Sequence, residues 1–137
     1  MPFISSKVNI AMTKEQKETI RKKLGENISI IPGKTEDWLM VEIADNCDLY
    51  FRGDEKLPTA FIEVKVFGEI KDIAAGKMTE IISGIYEKEL KIKQNRIYIK
   101  YEEVEKLFTI FSIFILSQSF FFPCFQHIWR FLWHYLP

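Results

Sequence analysis

The predicted elements of this chain repeat once, and that repeat limits the possible folds more than any other feature. The first copy begins with a predicted strand at residues 3–8. Thr13 and Gln16 have the spacing of a capping box, which opens a helix that ends before residues 32–33, a Pro-Gly pair. The apolar run at residues 38–43 is then predicted to be a buried strand.

The second copy has the same order of elements. Residues 60–67 alternate with period two, residues 72–90 have the apolar spacing of a helix, and residues 96–101 form the last predicted strand. A short strand at residues 49–51 and a hairpin are predicted between the copies. Because such crossovers are right-handed, both helices should cover one face of a four-stranded sheet. We therefore predict an α/β fold with a bare, apolar opposite face, which requires an oligomeric partner.

Composition changes abruptly near Lys106 and divides the chain into a domain at residues 1–106 and an apolar tail at residues 107–137. The chain has 19 basic and 19 acidic side chains, so its formal charge is zero. All the acidic residues lie in the first part, whereas Arg130 is the single Lys or Arg of the tail. No basic surplus or acidic block is present in the sequence, so nucleic acid is not a predicted partner.

The N-terminal sequence and the cysteines limit the compartment and the chemistry. Lys7 and Asn9 interrupt any apolar run near the start, so no signal peptide is predicted and the expected compartment is the cytoplasm. Secretion without a signal peptide is the alternative. Cys47 and Cys124 fall on opposite sides of the composition boundary and fit neither a metal site nor a disulfide framework. We expect no metal and no cofactor.

Pro2 is a candidate general base. Removal of Met1 before a small second residue would leave a secondary amine at the start of a strand. Burial disfavours the charged form of an amine and lowers its pKa below the usual 7.7–8.0 or so of an α-amino group. A neutral amine at physiological pH can accept a proton from a substrate.

Short sequence blocks at matching spacings give residues 2–104 a family resemblance. Together they resemble the tautomerase superfamily, in the branch of macrophage migration inhibitory factor and D-dopachrome tautomerase. The resemblance implies a homotrimer whose three sheets wrap into a central barrel, with an active site at each subunit interface. The blocks are Pro2-Phe3-Ile4, Gly33-Lys34, residues 60–64, Phe67-Gly68, and residues 95–99 followed by Tyr101.

The resemblance also implies roles for five residues. Pro2 matches the catalytic N-terminal proline, and Lys34 matches the lysine that binds the substrate's carboxylate or carbonyl oxygen. Phe67 stands where the family has an aliphatic residue whose backbone contributes to the pocket. Tyr98 matches a tyrosine that the adjacent subunit supplies. Lys100 stands where the animal proteins have asparagine, so it is either a second cation for an anionic substrate or a lysine that points into solvent.

These residue types suit a keto–enol conversion. The reaction needs one base near neutral pKa and one donor or cation for the oxyanion that develops on the carbonyl. Pro2 would supply the base, and Lys34 the cation. The resemblance implies a cofactor-independent tautomerase for a small α-keto acid such as phenylpyruvate. The alternatives are a cytokine-like binding protein with a relic pocket, or an inactive paralogue tethered to a membrane.

Two further sequence patterns carry no functional prediction. Arg52-Gly53-Asp54 is an integrin-type tripeptide, but such triplets arise often in turns. The family's animal cytokine carries a Cys-x-x-Cys pair just before the strand predicted here at residues 60–67. Residues 58–61 of this chain contain no cysteine, so thiol redox activity is not predicted.

The tail has three competing interpretations. Residues 107–129 lack Lys, Arg, Asp and Glu and are long enough to span a membrane. The tail could instead be an extra element packed on the domain. Its Phe-rich, Gly-free composition also fits translated non-coding sequence that follows a splice or frame error.

Overall fold

A computed structural model describes residues 1–107, which form a four-stranded mixed sheet with two helices. The strands are β1 (Pro2–Val8), β2 (Met40–Ala44), β3 (Ala60–Phe67) and β4 (Ile97–Val104). The helices are α1 (Lys14–Asn27) and α2 (Asp72–Leu90). Short 3₁₀ turns follow α1 at Ile28–Ile30, precede β2 at Glu36–Trp38 and precede β4 at Gln94–Arg96.

The predicted repeat is present, but the predicted hairpin between the copies is wrong. β1 and β2 are parallel neighbours, as are β3 and β4, so each copy is a βαβ unit. The sheet order is β2-β1-β3-β4, and the two copies meet through the antiparallel pair β1–β3 rather than through β2 and β3. This pairing places Pro2 opposite Val66, near the end of β3.

Local sequence explains both ends of the helices. The Thr13 hydroxyl accepts from the backbone N–H of Gln16, whose side chain accepts in return from the N–H of Thr13, so the predicted capping box opens α1. α1 ends at Asn27, before the Pro-Gly pair that was predicted to stop it. α2 has the predicted bounds and ends at Leu90, where the next residue, Lys91, has a left-handed backbone conformation and caps the helix.

One apolar core lies between the sheet and the helices. Alternate residues of β3 are buried, as the period-two pattern predicted, and they pack with both helices. Fully buried members include Ile4, Leu24, Val64 and Ile82. The core therefore places both helices on the same face of the sheet, as right-handed crossovers require.

The core also contains a pair of buried hydroxyl groups, on Ser6 of β1 and Tyr86 of α2. Neither has a hydrogen bond of ordinary geometry among residues 1–107. Burial raises the pKa of Tyr86 to about 12, with a partial offset from the nearby Ser6 hydroxyl. These groups carry a desolvation cost that hydrogen bonds would otherwise offset.

The face of the sheet opposite the helices is not the bare apolar surface that the sequence predicted. Lys100 Nζ lies 3.1 Å from a carboxylate oxygen of Glu102 and 3.5 Å from one of Glu63, and Lys65 Nζ lies 3.9 Å from Glu102. The ion pairs alternate with exposed apolar side chains, because polar and apolar residues share this face of the strands. The exposed apolar side chains include Met40, Phe61, Phe67 and Tyr98.

The predicted strand at residues 49–51 is also absent. Phe51 instead makes a single antiparallel bridge to Asp54 across a two-residue turn. Within residues 1–107, no helix is both long and apolar enough to cross a membrane. The predictions for the tail fall almost entirely on residues 108–137, which lie outside the described residues.

Candidate active site

Three separate segments meet at the start of β1. The backbone N–H of Phe67, the last residue of β3, donates to the Met1 carbonyl at 3.3 Å. The Nζ atom of Lys34, in the turn before β2, donates to the Phe67 carbonyl at 2.7 Å. Pro2 is buried in the sheet, where it pairs with Val66, the residue before Phe67. The structure therefore brings together three of the five residues that the resemblance assigned to the site: Pro2, Lys34 and Phe67.

The electrostatics of this cluster favour a neutral amine. In the chain that begins with Met1, partial burial and then the positive charge of Lys34 lower the pKa of the α-amino group. Both causes disfavour the ammonium form. Pro2, the next residue, is buried in the sheet.

Tyr98 lies far from this cluster within one chain. It pairs with Phe61 across β3 and β4, whereas Pro2 pairs with Val66. Phe61 and Val66 are about 17 Å apart along an extended strand. Tyr98 is 54% exposed and lies on the face opposite the helices. One chain therefore does not bring Tyr98 and Pro2 together around a small molecule.

Lys100 is engaged on the open face rather than at the amine. Its Nζ atom donates to Glu102, and a longer contact reaches Glu63. These interactions, the hydrogen bond to Glu102 first, raise the pKa of Lys100. Lys100 is exposed. Its partners are carboxylates of the open face, and this pairing gives no support to a role beside Pro2.

Arg96, which the sequence analysis did not single out as a functional residue, anchors the loop beside Tyr98. Its side chain is almost fully buried and donates to the carbonyls of Leu57 and Pro58 and to the Thr59 hydroxyl. It also lies 3.6 Å from the carboxylate of Asp54. An arginine just before a strand, facing a polar loop, is the weak sequence signal that could have indicated this role.

An aromatic residue connects that anchored loop to Tyr98. The ring centroids of Phe51 and Tyr98 are 5.6 Å apart, and the rings are tilted by 58°. The guanidinium of Arg96 lies 5.0 Å from the centroid of the Phe51 ring, within cation–π range. Tyr98 is thus supported from one side by a ring that a buried cation holds in place.

The Arg-Gly-Asp tripeptide forms a turn of this loop, and its aspartate makes contacts within the loop. Asp54 accepts the backbone N–H groups of Lys56 and Leu57, at 2.9 and 3.4 Å, and faces Arg96. Those hydrogen bonds, first among them the one from Lys56, lower the pKa of the Asp54 carboxyl. A carboxylate used in this way closes its own turn, and the structure gives no support to an integrin-type reading.

Comparison with known proteins places these features in a family context. Residues 1–111 match the sequence model described as macrophage migration inhibitory factor (MIF). A comparison with curated protein sequences found no match.

Solved structures share the fold. MIF2 of Leishmania major is 25% identical, with a TM-score of 0.75 over 80% of this chain and 94% of that one. The macrophage migration inhibitory factor of Toxoplasma gondii is 23% identical, with a TM-score of 0.71 over 79% of this chain and 96% of that one. A third match, 9% identical with a TM-score of 0.67 over 74% and 85% of the two chains, is a protein inactivated by 2-oxo-3-pentynoate.

Proposed function

The chain belongs to the macrophage migration inhibitory factor family, and on that premise we propose that it is a cofactor-independent keto–enol tautomerase. The general base is the secondary amine of Pro2 after removal of Met1. The substrate is a small α-keto acid of the phenylpyruvate type. The observation that carries the proposal is the convergence of Lys34 and Phe67 on the start of β1.

The proton transfer needs only groups that the chain supplies. The Pro2 nitrogen takes a proton from the carbon next to the keto group, that C–H electron pair forms a C=C bond, and the carbonyl π pair moves to oxygen. The oxyanion then takes up a proton and the Pro2 ammonium gives one up, so the base is regenerated and keto acid and enol differ only in the position of one proton. A low amine pKa leaves the base free at neutral pH, which is where general bases work best.

Removal of Met1 would change the hydrogen bonding beside the amine. The N–H of Phe67 donates to the Met1 carbonyl in the chain described here. Loss of that carbonyl frees the Phe67 N–H as a donor for an anionic substrate oxygen. The Nζ atom of Lys34 donates to the Phe67 carbonyl and brings a positive charge close to that N–H group. Donors fixed in this way stabilise developing negative charge without reorganisation.

A complete pocket on this proposal forms between copies of the chain. Pro2 and Tyr98 are separated by most of the length of β3, which is too far for one small substrate. A neighbouring copy in a homotrimer would bring its Tyr98 to the amine of the first. The cytoplasm remains the proposed compartment, and phenylpyruvate the proposed test substrate.

An acetylenic keto acid tests the base directly. A neutral amine adds to the alkyne carbon β to the ketone of 2-oxo-3-pentynoate, and a new N–C bond forms. The amine proton moves to the neighbouring carbon, α to the ketone. The adduct retains every atom of the reagent, so the protein mass rises by the full mass of the inhibitor. Peptide mapping should place the adduct on Pro2 and show loss of phenylpyruvate turnover in proportion. Full labelling elsewhere with activity retained would reject Pro2 as the base.

A further inference from the structure

Arg52 occupies a backbone position that favours glycine. It has φ of 54° and is followed by Gly53 with φ of 73°, the positive pair expected of a type I′ turn. Reciprocal backbone hydrogen bonds between Phe51 and Asp54, at 3.0 and 3.1 Å, close this two-residue turn. A side chain other than Gly, Asn or Asp is strained in this conformation. The turn therefore holds an arginine where the backbone alone would favour a smaller residue.

The guanidinium of Arg52 is positioned but has unused donors. Its Cζ atom lies 5.2 Å from the centroid of the Phe51 ring, which itself contacts Tyr98. Across the part of the chain that the structure describes, no acidic side chain pairs with Arg52, and the residue is exposed. Arg96, the other guanidinium on the same ring, is buried and donates from Nε and Nη2 to the loop at residues 57–59. The two cations on one ring thus differ in what they leave available.

We infer that Arg52 binds a second anionic group on the substrate, at the end remote from the α-keto acid. The inference rests on the proposed function, because it takes Tyr98 to line the pocket. With the keto acid held near Lys34 and Phe67 of one copy, the remainder of the substrate meets Tyr98 of the neighbouring copy. Phe51 and Arg52 of that neighbouring copy follow its Tyr98 into that end of the pocket, since they form one contiguous cluster.

The chemistry of the cluster specifies the ligand class. A guanidinium presents a planar fork of N–H donors that matches a carboxylate in a bidentate pair. An aromatic ring at its base favours a flat substrate body beside it. The preferred substrate is therefore an aryl α-keto acid that carries a carboxylate on the far side of the ring, such as 4-carboxyphenylpyruvate.

The test compares two substrates in matched variants of the full chain. The ratio of kcat/KM for 4-carboxyphenylpyruvate to that for phenylpyruvate is measured in the wild type and in Arg52→Gly, Arg52→Lys and Arg21→Ala. Arg52→Gly suits the backbone conformation, so it should fold at least as well as the wild type. Hydrogen bonds to charged groups have the strength to change this ratio by about tenfold. We expect that loss in Arg52→Gly, a partial loss in Arg52→Lys, and the wild-type ratio in Arg21→Ala, which removes a distant exposed charge on α1.

Equilibrium binding separates this inference from the tautomerase proposal. Terephthalate and benzoate differ by one carboxylate and need no turnover, so their affinity ratio tests Arg52 even if the chain has no activity toward either keto acid. Tighter binding of terephthalate that Arg52→Gly abolishes would support the inference. The inference is overturned if Arg52→Gly changes neither the kcat/KM ratio nor the affinity ratio. This holds even if the individual kcat/KM values or affinities fall together.

Discussion

The two ends of β3 are built in different ways. At the end that meets Pro2, backbone groups of Phe67 and one lysine make the contacts, and the pKa of the Met1 α-amino group there is lowered. At the other end, a buried arginine holds a loop whose phenylalanine supports Tyr98. On the proposed function, the first end carries the reactive amine with few contacts around it. The second has more stabilising contacts and presents the exposed surface proposed for recognition.

This difference predicts that substitutions at the two ends will separate activity from stability. Changes at the amine should affect turnover with little effect on the free energy of unfolding. Changes at the anchored loop should affect unfolding first.

The largest effect is expected from Pro2→Gly. This change replaces the secondary amine with a primary one in a less constrained backbone. Turnover of phenylpyruvate should fall by about 10²-fold or more, the scale of a lost general base. Steady-state kinetics on protein whose mature N terminus is verified by mass spectrometry measures this. Wild-type turnover in the variant would break the assignment of reactivity to this end of β3.

Arg96→Lys should have the next largest effect, on stability. In the wild type, the Nε–H of Arg96 donates to both the Pro58 carbonyl and the Thr59 hydroxyl. Lysine keeps the charge but has no Nε–H, so the loop loses hydrogen bonds of about 1 kcal/mol each. We expect the free energy of unfolding in urea to fall by about 2 kcal/mol. Arg52→Gly, at the exposed guanidinium of the same ring, is the matched control and should not lower it. Equal losses in the two variants would contradict the distinction between anchoring and recognition.

Lys34→Ala should reduce kcat/KM for phenylpyruvate by about tenfold, as expected for a hydrogen bond to a charged substrate group. It also removes a positive charge that lowers the pKa of the nearby amine. Because the base must be neutral, activity is lost as pH falls through that pKa, and the variant should lose it at a higher pH than the wild type. Lys88→Ala, an exposed lysine on α2, is the control. If Lys34→Ala does not change the pH at which activity is lost, Lys34 does not act on the amine, and its assignment to the site is rejected.

The smallest effect is expected in the core between the two ends. Tyr86→Phe removes a buried hydroxyl that makes no ordinary hydrogen bond among the described residues, so stability should be unchanged or rise by up to about 1 kcal/mol. Tyr101→Phe removes a hydroxyl that is 2.9 Å from that of Thr79, and stability should fall by about 1 kcal/mol. Thermal unfolding of the pair tests whether hydroxyl partners, rather than burial alone, decide the sign.

Local sequence patterns predicted the individual elements well. The alternation of residues 60–67 and the apolar spacing of residues 72–90 predicted β3 and α2 with their bounds. These patterns report which side of an element is buried. They do not report which strand is its neighbour, because pairing depends on residues far apart in sequence. The β1–β3 pair was missed for that reason, and a hairpin was predicted instead.

The candidate site was predicted unevenly for a similar reason. Family resemblance supplied Pro2, Lys34 and Phe67, which the structure brings together. Arg96 and Arg52 were missed as a pair because their shared ring, Phe51, joins segments that are distant in sequence. The polar open face was visible in the alternation of Glu63 and Lys65, but the prediction considered only the buried positions.

The antiparallel β1–β3 pair at the centre of the sheet also determines when Pro2 can be buried during synthesis on the ribosome. β1 also pairs with β2, but the partner of Pro2 is Val66 of β3, which is translated much later. At 5–20 residues per second, that interval lasts about 3 to 13 s. On the proposed function, an aminopeptidase can reach Met1 during this interval, because the strand that pairs with Pro2 has not yet been made. Trimming and burial are therefore ordered in time: the terminus can be cut before the sheet that would hide it exists.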